Sequence, residues 1–148
     1  MAMIPRTGYR ALSAIDTESL GNGQARGTVI VTEDHLNRSG IMHGGALATL
    51  ADSALGRAVA TALEPGQAPS TASMTMSYMA SANPGDALTC MATVRKRGRQ
   101  TAVVEADVVR DSDGRLIAHA VATFVIVTRR SDVIVDAEKE LSPVADPA

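Results

Sequence analysis

The chain has no tryptophan, one phenylalanine and two tyrosines in 148 residues. A core rich in aromatic area is therefore excluded. Ala, Val, Leu, Ile and Met must build it, which lets helix and sheet approach closely but buries less area per residue. So lean a core points toward oligomerisation as a source of stability. One cysteine, Cys90, excludes an intrachain disulfide framework and gives no cysteine-based zinc-ligand cluster. No apolar run reaches membrane-spanning length, and no charged lead with an apolar signal segment is present. The formal charge of -2 carries no nucleic-acid footprint. The expectations are a cytoplasmic protein, with neither nucleic acid nor membrane as partner, and no metal.

What remains reads as one domain. Residues 1–24 form an N-terminal extension of mixed character, 25–128 the domain itself, and 129–148 a polar C-terminal tail expected to be disordered. The segment 25–32 alternates around Val29, Ile30 and Val31 as a first strand. From Gly44 to about Leu63 the chain has no proline and is dense in Ala and Leu, predicting a long helix that is apolar around most of its circumference and so surrounded by protein. Glu64-Pro65-Gly66 ends it.

Four strand candidates follow, at 71–79, 88–96, 101–110 and 116–128. In the first, Thr71, Ser73, Thr75 and Ser77 are predicted to face one way and Ala72, Met74, Met76 and Tyr78 the other. Arg97-Gly98-Arg99-Gln100 and Asp111 to Gly114 read as hairpin turns. The last strand is apolar on both faces, as a central strand should be. Hairpins make antiparallel pairs, so the expected fold is α+β, an antiparallel sheet wrapped around one long central helix.

The most informative segment is Gly40-Ile41-Met42-His43-Gly44-Gly45-Ala46-Leu47-Ala48-Thr49-Leu50-Ala51-Asp52. Asp52 arrives inside an Ala/Leu-rich run, and burying an unpaired carboxylate costs on the order of several kcal/mol, so such residues find partners or do chemistry. Gly44 and Gly45 open the helix, where backbone N–H groups and the positive dipole end can serve an oxyanion. Nine residues at about 100° each place His43 and Asp52 about 180° apart around an ideal helix. One copy of the chain should not bring both to one small substrate.

Asn37-x-x-Gly40-x-x-His43-Gly44-Gly45, followed by Thr49-Leu50-Ala51-Asp52, resembles the signature of hotdog-fold acyl-CoA thioesterases of the phenylacetate (PaaI) type, in the 4-hydroxybenzoyl-CoA thioesterase superfamily. Ser77-Tyr78-Met79, the Arg97-Gly98-Arg99 turn and Ala118-His119-Ala120-Val121-Ala122-Thr123-Phe124 extend the likeness. The resemblance implies an acyl-CoA thioesterase working as a homodimer or a dimer-of-dimers tetramer. Asp52 would be general base or nucleophile, and the Gly44 amide would polarise the thioester carbonyl. His43 and Asn37 would assist from the opposite subunit, and Thr71 would position water or hydrogen-bond Asp52. Gly45 and the Arg97-Gly98-Arg99 turn would contact substrate and coenzyme A phosphates, which suit arginine forks. No cofactor is implied beyond the coenzyme A of the substrate.

Plainer readings stand beside these. Asp52 could face solvent or pair with Arg57, His43 and Asn37 could serve only the loop, Thr71 could be an ordinary strand threonine, and Arg95 to Arg99 a solvated turn. His35 and His119 read as structural, and Cys90 and the methionines as core. Two other functions share the implied fold: a non-catalytic acyl-CoA-binding domain, and a hydratase or dehydratase of acyl thioesters.

Overall fold

A computed structural model describes residues 7–129 of the chain. Its elements are α1 (Gly8–Ser13), β1 (Asp16–Gly21), β2 (Gln24–Ile30), a 3-10 turn (Glu33–His35), α2 (Gly44–Ala60), β3 (Gln67–Tyr78), β4 (Ala87–Arg97), β5 (Thr101–Arg110) and β6 (Leu116–Thr128). The strands form one antiparallel sheet in the order β1-β2-β4-β5-β6-β3. It curls around α2, which touches every strand. The expected α+β architecture is the observed one. The sheet reaches further back than residue 25, because β1 pairs with β2 from Asp16 onward. The expectation for the tail concerns residues 130–148, outside the described residues.

Helix α2 starts where His43, in extended conformation, accepts a hydrogen bond from the Gly45 N–H. It ends at Thr61, whose hydroxyl donates to the Ala58 carbonyl and accepts from Gly23 N–H, tying the helix to the β1–β2 turn. Leu47, Leu50, Ala51, Ala54, Leu55, Ala58 and Val59 form its buried stripe. The opposite side, with Thr49, Asp52, Ser53, Gly56 and Arg57, is only half-buried. The helix of a single chain is thus covered on one side, not all round. Alanine misled here: it tolerates exposure and burial alike, so only the Leu and Val positions mark the face.

The close seat of α2 needs Gly27 on β2. A Cβ there would lie 3.1 Å from a Leu50 methyl and 3.2 Å from the Ala54 Cβ. Ala92, Ala106, Ala120 and Ala122 keep the neighbouring strands low in the same way. On β6 the inward residues are buried, while Val121 and Val125 on the outer face are 40% and 38% exposed. The strand is central, as expected, but one of its faces is open, as antiparallel sheets allow.

The largest departure from simple alternation lies in β3. Thr71 stands opposite Phe124, and the next pair is Ser73 with Thr123, so Ala72 is an extra, bulged residue. Residues directly opposite share a face, and Phe124 is an inner, buried residue. Thr71 therefore turns inward, while Met74 and Met76 also pack on the core. Ser73 pairs with Thr123 and faces outward, so Thr71 and Ser73 lie on opposite faces.

Candidate active site

The bulge brings Thr71 to Asp52. Its hydroxyl donates to the Asp52 carboxylate at 2.8 Å. Asp52 is half-buried and lines a cavity of about 410 Å³ together with Thr71, Ser53, Arg57, Phe124 and Tyr9. Among the described residues no ion pair joins Asp52 to Arg57. One oxygen of the carboxylate is thus held by a neutral donor, and the group keeps a face on the cavity. That is an arrangement for accepting a proton from a polarised water or for attack on a carbonyl carbon.

His43 lies elsewhere. With Gly45, Thr49 and Tyr9 it lines a second cleft of about 400 Å³, and a 3.0 Å hydrogen bond between the Tyr9 and Thr49 hydroxyls stands where the two spaces meet. A backbone N–H can only donate, so His43 Nδ1, 2.8 Å from Gly45 N, must carry its lone pair. The neutral ring then bears its proton on Nε2. The Gly45 amide, expected to help the substrate, is spent on this cap. A Cβ at Gly45 would sit 2.9 Å from that Nδ1, so the cap requires glycine.

The Gly44 N–H has no partner among the described residues, as befits the first residue of a helix. Gly44, Asn37, Met42, Tyr78 and Met79 line a third cleft of about 340 Å³. Tyr78 donates from its hydroxyl to the Gly44 carbonyl at 3.0 Å, and its ring would meet a Gly44 Cβ at 3.3 Å. Asn37 Oδ1 accepts from Ser39 N–H at 2.9 Å and more weakly from Ile41 N–H at 3.4 Å. Its carbonyl end shapes the loop, which leaves the NH₂ end as a donor. Tyr78 was not among the expected site residues. Its signal was present: the alternation that places Met74 and Met76 inward places Tyr78 there too.

The hairpin candidates are remote from the start of α2. Arg97 donates to the Gly98 carbonyl at 3.0 Å and to Gln67 Oε1 at 2.9 Å, at the end of the sheet where α2 stops. Arg99 is exposed, and Arg95 pairs with Glu105. The remaining candidates are structural. Buried His35 accepts from Thr32 N–H and donates through Nε2 to the Ser13 carbonyl at 2.7 Å, fastening α1. His119 bonds Asp107 on the outer face of the sheet. Burial, and secondarily the charge of Asp107, pushes the Cys90 thiol up to about 12, so it is inert core.

The chain thus brings together Asp52 with Thr71, and Asn37 with Gly44, but in different clefts. Gly44 and Asp52 are about 12 Å apart along the helix axis, at about 1.5 Å per residue.

Residues 39–117 match the model of the family described as the thioesterase superfamily. The chain is 32% identical over 109 residues to human acyl-coenzyme A thioesterase 13, covering 74% of this chain and 77% of that one. Its fold is similar to that of the PaaI protein from the phenylacetic acid degradation operon of Escherichia coli, with a TM-score of 0.72, 31% identity, and coverage of 80% and 82%. It is also similar to a thioesterase of Streptococcus pneumoniae solved with coenzyme A, with a TM-score of 0.70, 28% identity, and coverage of 79% and 91%. The chain spans from 62% to 77% of the length of the curated relatives it matches.

Proposed function

The chain belongs to the thioesterase superfamily and is of its PaaI type, and on that premise we propose that it hydrolyses acyl-CoA thioesters to a free acid and coenzyme A at a site shared by two copies of the chain. The observation that carries this reading is the Asp52–Thr71 hydrogen bond inside a cavity, about two turns along α2 from an unengaged helix-start amide.

Asp52 takes a proton from water as the water oxygen bonds the thioester carbon. The resulting oxyanion is held by the N–H of Gly44 of the partner subunit, assisted by Asn37 and His43 of the partner subunit. Collapse breaks the C–S bond, and the thiolate of coenzyme A leaves, taking up the proton. Thr71 orients the carboxylate and the water. Direct attack by Asp52, through a mixed anhydride that water then opens, is the alternative use of the same group.

Two features support the shared site. The axial distance between Gly44 and Asp52 is too great for both to act on one carbonyl from one chain. And β3, which carries Thr71, is an edge strand with unpaired backbone groups open to a second copy. A dimer of dimers belongs to the same reading, supported by exposed Met91, Val103, Val121 and Val125 on the outer face of the sheet. Exposed Arg99, with Arg97 and Gly98, is the proposed contact for coenzyme A phosphates. The chemistry needs no metal and no cofactor beyond the coenzyme A of the substrate. No helix among the described residues is long and apolar enough to cross a membrane, and a cytoplasmic location completes the proposal.

The test is thiol release from a panel of acyl-CoAs by wild type and Asp52→Ala. The variant should keep its fold and assembly and lose at least about a hundredfold in turnover. Retained turnover removes Asp52 from the mechanism. Tight acyl-CoA binding without thiol release by wild type would assign a binding domain instead.

A further inference from the structure

The cavity beside Asp52 contains a group that hydrolysis itself does not use. Arg57 lies five residues beyond Asp52, about 7.5 Å further along the helix axis, and lines the same cavity. Its Nε is buried without a hydrogen-bond partner, and among the described residues no hydrogen bond or ion pair engages the side chain. A guanidinium does not deprotonate, so a buried, unanswered donor is a standing cost that a bound acceptor would return.

The rest of the lining fits such an acceptor. Apolar groups make up the larger part of the wall, and Thr17 and Ser53 add hydroxyls to it, while the hydroxyls of Ser13 and Thr71 already donate to the Arg10 carbonyl and the Asp52 carboxylate. Arg10, which pairs with Asp16 at 3.7 Å, is a second guanidinium at the wall, against the single carboxylate of Asp52. Phe124 and Ile15 supply an apolar stretch between. The space is on the scale of an acyl group, with carboxylate chemistry at one side and an unpaired cation deeper along the helix.

We propose that Arg57 is a specificity residue that binds an anionic end of the acyl group, so that the favoured substrates are CoA monothioesters of dicarboxylic acids. The inference rests on the thioesterase reading above. A planar, bidentate fork is suited to a carboxylate.

The experiment compares two non-hydrolysable thioethers of matched length, S-carboxybutyl-CoA and S-pentyl-CoA, by calorimetry on wild type, Arg57→Met and Arg57→Lys. Wild type should bind the carboxylated analogue about tenfold more tightly or better, a factor worth about 1.4 kcal/mol. Arg57→Met should bring that ratio to about one, and Arg57→Lys should keep part of it. Equal binding by wild type overturns the proposal, as does a ratio that survives in Arg57→Met. If Arg57→Met weakens free coenzyme A as much as both analogues, Arg57 serves a phosphate and the proposal fails. If Arg57→Met dissociates the assembly in sedimentation and leaves the ratio unchanged, the acceptor is a second copy, and it fails again. Thiol release from glutaryl-CoA and pentanoyl-CoA is followed in parallel. Release from neither counts against hydrolysis, while the binding ratio still decides the role of Arg57.

Discussion

Mixing two inactive variants tests whether the site spans two chains. Asp52→Asn keeps an oxygen for the Thr71 hydroxyl, now 2.8 Å from the carboxylate, but removes the base, which should cost about 10²–10⁴ in rate. Asn37→Asp keeps the acceptor oxygen that orders Ser39 and Ile41 but removes the amide donor and adds a charge near the developing oxyanion. That should cost about 10²–10³. Each variant alone retains roughly 1% of activity or less on these principles. Unfolded together in equal amounts and refolded, they form mixed dimers in about half of cases under two-fold symmetry. Each mixed dimer holds one site with both groups intact and one with neither. Activity should therefore return to about a quarter of wild type, at least about twentyfold above either parent. Thiol release on a neutral acyl-CoA measures it, and native mass spectrometry of differently tagged chains establishes that mixing occurred. If each chain carried its own complete site, every site would keep a lesion. Mixed dimers with parental activity would refute the shared site.

Two further outcomes follow from single contacts. Thr71→Val keeps the β-branched shape but loses the hydrogen bond to Asp52, and kcat should fall about tenfold, while Thr71→Ser should restore most of it; equal rates for Val and Ser variants would remove the hydroxyl from the mechanism. Gly27→Val drives a side chain into Leu50 and Ala54, where even a Cβ stands at 3.1 and 3.2 Å. It should cost about 1–3 kcal/mol and lower Tm by several degrees in calorimetry; an unchanged Tm would mean that α2 does not sit so close to β2.

Much of the fold was legible because its signals are local. Strands 101–110 and 116–128 begin and end where alternation and turn residues place them, since a hairpin is closed by neighbours in sequence. Helix α2 was legible from an uninterrupted Ala/Leu run, but its half-buried side was not, because alanine is indifferent to exposure. The start of the sheet at Asp16 was obscured for a similar reason. Asp16-Thr17-Glu18-Ser19 has no apolar alternation, being an edge strand whose residues are mostly half-buried or exposed.

By itself the sequence determined one separation in the site: eight residues of one helix hold Gly44 and Asp52 about 12 Å apart along its axis. The half-turn expected between His43 and Asp52 does not hold, because His43 is the extended cap outside the helix and its cleft meets the Asp52 cavity at Tyr9 and Thr49. The sequence also determined the glycines at the helix start and the Ala-rich strands that let the helix sit low. Tertiary structure alone decided how the side chains meet. Thr71 faces Asp52 because Ala72 bulges, and a bulge is set by register against Phe124 and Thr123, distant in the chain. The Gly45 amide is claimed by His43, which leaves the Gly44 N–H alone at the helix start. Arg57 shares the cavity of Asp52, although five residues is poor spacing for a helix pair, because α1 and β3 wall in that side of α2. Periodicity fixes directions within an element; only packing between elements decides which directions converge.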